Sequence, residues 1–149
     1  MRIHQTLHDS IVDGPGLRYV VFTQGCPHGC PGCHNPDTHD PASGKEVAVE
    51  AVIQDMLQNP LTDGLTLTGG EPFLQPEDCA AIARAARAAG LNVWCYSGWT
   101  LEQLREMPEA ERLLREIDVL VDGPYRQEQR SLTLNWRGSE NQRIIEIKD

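Results

Sequence analysis

Residues 9–35 read DSIVDGPGLRYVVFTQGCPHGCPGCHN, and the second half of that stretch decides the fold. Leu17 to Thr23 is rich in β-branched and aromatic residues, so it reads as a strand, and it delivers the chain straight into a loop carrying Cys26, Cys30 and Cys33. The interleaved Gly25, Pro27, Gly29, Pro31 and Gly32 suit a backbone that folds tightly around a compact object rather than continuing as strand or helix. A CxxxCxxC run offers three thiolates where a 4Fe-4S cluster usually takes four, which leaves one iron without a protein ligand. The same residues admit a zinc site, with His28 or His34 as fourth ligand. Zinc sites more often bring two separated ligand pairs, however, and no second CxxC follows. Disulfides fit poorly, because the cysteine count of 5 is odd and so close a set is hard to pair within itself.

Outward from the loop, strand-like and helix-like segments alternate. Val49, Val52, Ile53 and Met56 follow the i, i+3, i+4, i+7 spacing of a helix lying on a core. Gly64 to Thr68 reads as a short strand ending in Gly69-Gly70-Glu71. Pro76 in a first turn, Glu77 and Asp78 beside it, and Gly90 beyond the last alanine delimit a second helix. Leu91 to Ser97 is the next strand, Leu101 to Ile117 a helical stretch interrupted at Pro108, Val119 to Asp122 a buried strand, and Arg143 to Ile147 alternates like a last one. Such alternation implies parallel strands joined by right-handed crossovers. Eight units need about 250 residues, and the chain has 149, so a closed barrel is excluded. One domain spanning residues 1–149 is the expectation for 149 residues of which 40% are hydrophobic.

Three segments together resemble a known family: residues 9–35, TGGEPFL at 68–74 and NWRGSENQR at 135–143. They are similar to the radical S-adenosylmethionine (SAM) enzymes, and within them to the glycyl-radical-enzyme activases, in particular the branch that activates anaerobic ribonucleoside-triphosphate reductase. The resemblance implies an α/β fold, an incomplete, open β/α barrel of about five or six mostly parallel strands. It implies a 4Fe-4S cluster on Cys26, Cys30 and Cys33, with SAM bound at the remaining iron. It also implies reductive cleavage of SAM and a glycyl radical left on the partner reductase. Gly69, Gly70 and Glu71 match the GGE motif that meets the amino group of SAM, and Ser97 takes a ribose- or carboxylate-binding position. As bare sequence, each of these is also an ordinary turn.

Across the wider superfamily an aromatic residue often precedes the third cysteine and packs on the adenine, but this chain has Gly32 there. Adenine would then be held by backbone from Gly32 through Cys33 to His34, or by Tyr96. The catalytic groups are otherwise expected where strands end, sharing one mouth. No side chain need act as acid, base or nucleophile, because the cofactors supply the chemistry.

Charge and hydropathy narrow the partners. The net charge is -9, with 13 Lys and Arg scattered among 22 Asp and Glu, which argues against a nucleic-acid surface. No apolar run approaches a membrane span and no targeting pattern opens the chain, so a cytoplasmic location is expected. An open barrel suits a protein substrate, which presents a loop to an exposed cofactor, and a flavodoxin-like or other low-potential donor would supply the electron. Three alternatives stay open on the residues alone: an activase of another glycyl radical enzyme such as the formate-lyase type, a small radical SAM enzyme of deazaguanine synthesis, and a non-catalytic metal-binding module. Cys79 and Cys95 read as small core residues.

Overall fold

The computed structural model describes residues 1–33, 36–131 and 136–147. In chain order the elements are β1 (Arg2–Ser10), β2 (Arg18–Thr23), β3 (Lys45–Glu46), α1 (Val49–Leu57), β4 (Gly64–Gly69), α2 (Pro76–Ala88), β5 (Asn92–Tyr96), α3 (Leu101–Arg105), α4 (Glu111–Leu114), β6 (Val119–Asp122) and β7 (Arg143–Glu146). The strands form one seven-stranded sheet in the order β3-β1-β2-β4-β5-β6-β7.

The middle of that sheet is the parallel unit the sequence pattern predicts. β2, β4, β5 and β6 pair in parallel, and α1, α2 and the α3–α4 pair make the crossovers between them. One face sends Tyr19, Val21, Leu65, Leu67, Val93 and Leu120 into the helix-covered core, where they meet residues such as Val52, Met56, Ile82 and Leu113. Each fully buried Leu or Ile there stabilises the fold by about 1.5–3 kcal/mol relative to an exposed one. The other face is buried as well, through Val20, Phe22, Thr66, Trp94 and Val121. Burial on both faces is why these strands read as near-continuous apolar runs.

Sheet size and strand direction differ from the expectation of five or six mostly parallel strands. Seven strands are present, and three of the six pairings are antiparallel. β1 escapes notice in the sequence because only Ile3 in it is buried, so no clean alternation marks it, and β3 spans two residues. β7 returns antiparallel to β6 because the described part of the segment between them offers only a 3-10 turn at Gln127–Gln129. A parallel return needs a longer crossover, usually a helix.

The helix boundaries follow the local signals. α2 opens on Pro76, carries Glu77 and Asp78 in its first turn, and stops before Gly90 at φ +83°. Pro108 breaks the stretch from Leu101 to Ile117 into α3, a 3-10 turn at Pro108–Ala110, and α4, since proline cannot donate the helical N–H.

Candidate metal and cofactor site

A cavity of about 340 Å³ opens where β2, β4, β5 and β6 end. Cys26, Cys30 and Cys33 line it, as do Gly69, the last residue of β4, and Gly70 just after it. Tyr96, Ser97 and Gly98 come in from β5, and Gly123 from β6. Trp136, Arg137, Gly138 and Gln142 line the cavity too, so the described part of the NWRGSENQR run borders the site. His34 and Asn135 lie outside the described residues.

The cysteine loop is held by backbone at its root. Gly25 N donates to the Thr38 carbonyl at 2.7 Å and Cys26 N to the His39 carbonyl at 3.1 Å, while Glu71 N donates to the Gly25 carbonyl at 2.8 Å. Gly25, Gly29 and Gly32 all have positive φ, at 106°, 59° and 72°, which lets the chain turn repeatedly between the thiols. All three cysteines are half-buried. The Cys26 thiol is pushed up, first by burial, with a backbone hydrogen bond from His28 opposing and the charges of Glu71 and the other thiols adding to the rise. Iron coordination would deprotonate it. Three thiols on a glycine-turned loop that open onto one cavity fit an iron-sulfur cluster held by three cysteines. Among the described residues, no group of three His, Cys, Asp or Glu side chains converges closely enough to hold a single metal ion.

Glu71 does not line the cavity. It is fully buried behind it and caps the 3-10 turn Pro72–Leu74. His28 Nε2 lies 2.6 Å from Glu71 Oε1, which also accepts from Ser97 Oγ at 3.0 Å and from Gly98 N at 2.8 Å. Oε2 accepts from Phe73 N at 3.1 Å. One carboxylate thus ties the cysteine loop to the ends of β4 and β5. His28, weighed from sequence as a zinc ligand, has its Nε2 committed to this bond and its ring edge-on to Trp99, centroids 4.7 Å apart. Ser97 lines the cavity, but its hydroxyl is engaged too, donating to Glu71 and accepting from Trp99 N at 3.0 Å.

Arg18 is the functional-site neighbour that the sequence reading passes over. It is fully buried, and burial pulls its pKa down to about 10. Its Nε donates to Thr66 Oγ1 at 2.7 Å, and its two terminal nitrogens to the carbonyls of Pro15 and Leu65 at 2.9 and 2.8 Å. Thr66 Oγ1 in turn donates to the Asp13 carbonyl at 3.0 Å. The DGPGLR run is therefore a loop pinned across the inner face of the sheet, and it brings Val12 and Asp13 to the rim of the cavity. A Cβ on Gly14 would stand 2.8 Å from the Arg18 side chain, so the glycine makes room for the pin.

Asp122 is likewise structural. Its carboxylate is buried, accepts from Leu101 N at 2.7 Å and from Arg143 Nε at 3.0 Å, and so fixes the end of β6 to α3 and β7.

Fold and site together define an iron-sulfur protein: residues 12–145 match the family described as a 4Fe-4S single cluster domain. Curated relatives narrow this further. The anaerobic ribonucleoside-triphosphate reductase-activating protein of Vibrio cholerae is 37% identical over 97% of both chains. That of Escherichia coli K12 is 33% identical over 99% of this chain and 100% of its own, and that of phage T4 is 34% identical over 89% and 86%. The chain belongs to the family of anaerobic ribonucleoside-triphosphate reductase-activating proteins. Among solved structures, QueE from Escherichia coli superposes with a TM-score of 0.53 at 18% identity, over 66% of this chain and 53% of that one, a likeness of fold alone.

Proposed function

We propose that this protein is a radical SAM activase that generates a glycyl radical on anaerobic ribonucleoside-triphosphate reductase. The observation that carries the reading is the convergence of Cys26, Cys30, Cys33, Gly69 and Gly70 on one cavity at the strand ends, in a chain of this family. When bound, the cluster and SAM supply the chemistry: one electron splits a carbon–sulfur bond of SAM into methionine and a 5'-deoxyadenosyl radical, which takes a hydrogen atom from a glycine α-carbon of the partner.

The chain's own residues bind, orient and shield. Cys26, Cys30 and Cys33 are the residues that would hold the cluster, and three thiolates would leave one iron open to SAM. The turn at Gly69 and Gly70 lets backbone approach the ammonium, and a Cβ on Gly70 would run into the carbonyls of Gly25 and Thr38. Glu71 fixes that turn against the cysteine loop from behind, and its carboxylate favours the ammonium electrostatically. His34 lies outside the described residues; Ser97 and Cys33, the latter preceded by Gly32, line the cavity where the rest of the ligand would sit. Tyr96 stays a neutral phenol beside it, its pKa raised by burial.

The sheet is read as an incomplete barrel within one domain, whose open edge admits a loop of the reductase. A flavodoxin-like or other low-potential protein supplies the electron, and the cytoplasm is the compartment where such partners meet. Among the described residues, no helix is long and apolar enough to cross a membrane.

The test is anaerobic reconstitution with iron and sulfide, followed by reduction with SAM present and an assay for 5'-deoxyadenosine. Product without any partner is expected, with a glycyl-radical EPR doublet only when the reductase is added. A holoprotein that contains zinc, or that leaves SAM intact under reduction, would overturn the reading.

A further inference from the structure

Position 32 cannot supply the aromatic wall that the wider superfamily often places before the third cysteine. Gly32 has φ +72°, and a Cβ there would stand 2.7 Å from the side chain of Gln127. Aromatic surface enters the cavity from other elements, through Tyr96, Tyr125 and Trp136. Of these, Trp136 is held in a conformation that its own chemistry disfavours. Its φ is +61°, a left-handed backbone that bulky residues seldom adopt unless the surroundings impose it.

The surroundings do impose it. The Trp136 indole meets Trp94 edge-to-face, with centroids 5.3 Å apart and planes at 77°. Trp94 is itself buried and braced by the Arg18 guanidinium, 5.7 Å from its ring. On the C-terminal side, Gln142 Oε1 accepts from the N–H groups of Gly138 and Ser139 at 2.8 and 3.2 Å. Its Nε2 donates to the Gly123 carbonyl at 3.1 Å, and Arg137 donates to the Gln142 carbonyl at 2.9 Å. Residues 136–142 are thus a hydrogen-bonded knot anchored to the end of β6, and the indole is presented to the cavity from it. An edge-to-face contact covers at most one face of that ring.

We propose that Trp136 is the platform on which the adenine of SAM stacks, in place of a residue before the third cysteine. This rests on SAM being the ligand of the cavity, and it goes further by assigning the nucleobase to the C-terminal knot rather than to the cysteine loop. Base–aromatic stacking of this kind changes affinity by about ten- to a hundred-fold on truncation to alanine.

The test uses cluster-loaded wild type, Trp136→Ala and Trp136→Phe, matched by iron and sulfide content, with equilibrium dialysis of SAM, 5'-deoxyadenosine and methionine. Trp136→Ala is expected to bind SAM and 5'-deoxyadenosine about ten-fold or more weakly while methionine binding is unchanged, and Trp136→Phe to recover most of the loss. Unchanged SAM affinity in Trp136→Ala would overturn the assignment, as would an equal loss for methionine, which signals collapse of the whole site. Wild-type holoprotein that binds no SAM would instead refute the reading of the cavity itself, and this assignment with it.

Discussion

His28 Nε2 and the Glu71 carboxylate stand 2.6 Å apart across 43 residues of sequence, joining the centre of the cysteine loop to the turn after β4. The carboxylate is fully buried, so the bond forms where water cannot compete. With Ser97 and Gly98 donating to the same oxygen, the segments that follow β2 and β5 share one acceptor on the turn after β4. The cysteine loop itself has no regular structure, and this junction adds to the backbone bond from Glu71 N to the Gly25 carbonyl in fixing its position relative to Gly69 and Gly70.

Removing His28 takes away one of the three groups that meet the buried Glu71 Oε1. His28→Ala should lose about 1–3 kcal/mol of stability, the cost of taking one hydrogen-bond partner from a buried polar group, read from urea unfolding of the metal-free protein. Cluster content after reconstitution should fall with it. His28→Gln retains an N–H donor and should recover part of both. Wild-type stability and loading in His28→Ala would show that the bond is incidental.

That junction was not legible in the sequence, whereas the mouth around it was. The ends of β2, β4, β5 and β6 could be placed because apolar runs stop at Gly25, Gly69, Ser97 and Gly123, each a residue that changes backbone direction. Pairing between His28 and Glu71 leaves no such local mark, and neither does the burial of Arg18, whose partners lie at Pro15, Leu65 and Thr66. β1 was hidden for a different reason. As a strand near the sheet edge it buries Ile3 and exposes much of the rest, so its sequence RIHQTLHDS carries no two-residue period. The direction of β7 was likewise absent from its alternation, because period two is the same for parallel and antiparallel strands.

The five cysteines divide by environment, and alkylation should reveal it. Cys26, Cys30 and Cys33 are half-exposed, while Cys79 and Cys95 are buried and their thiols are pushed well up by burial in the apolar core. In metal-free protein, iodoacetamide should label the first three within the native state, and the other two only after denaturation. Cluster assembly should then protect the first three. Rapid labelling of Cys79 in the folded protein would contradict the packing of α2 against the sheet.

Substitution should separate the same two groups by function. Cys30→Ala should abolish the cluster's visible absorption and SAM cleavage, since two thiolates remain for a cluster that needs three. Cys79→Ala removes one sulfur from a core position and should cost about 1 kcal/mol, with cluster and turnover largely intact. Equal activity in the two variants would contradict the assignment of the loop as the cluster site.

Gly98 offers a sharper test of the His28 position than removal of either partner. Its N–H donates to Glu71 at 2.8 Å, and a Cβ built on it would lie inside contact distance of the His28 ring. That ring cannot swing aside freely, because Glu71 holds its Nε2 and Trp99 packs on it edge-to-face. Gly98→Ala should therefore displace His28 and reproduce the losses of His28→Ala in stability and cluster loading. In the double variant the methyl group meets no imidazole, so the second substitution should add little to the first. A double-mutant cycle would show coupling of about 1–3 kcal/mol, as expected for residues in direct contact. Additive losses would mean that the two residues act independently, and the ring would then not be locked between β5 and the cysteine loop.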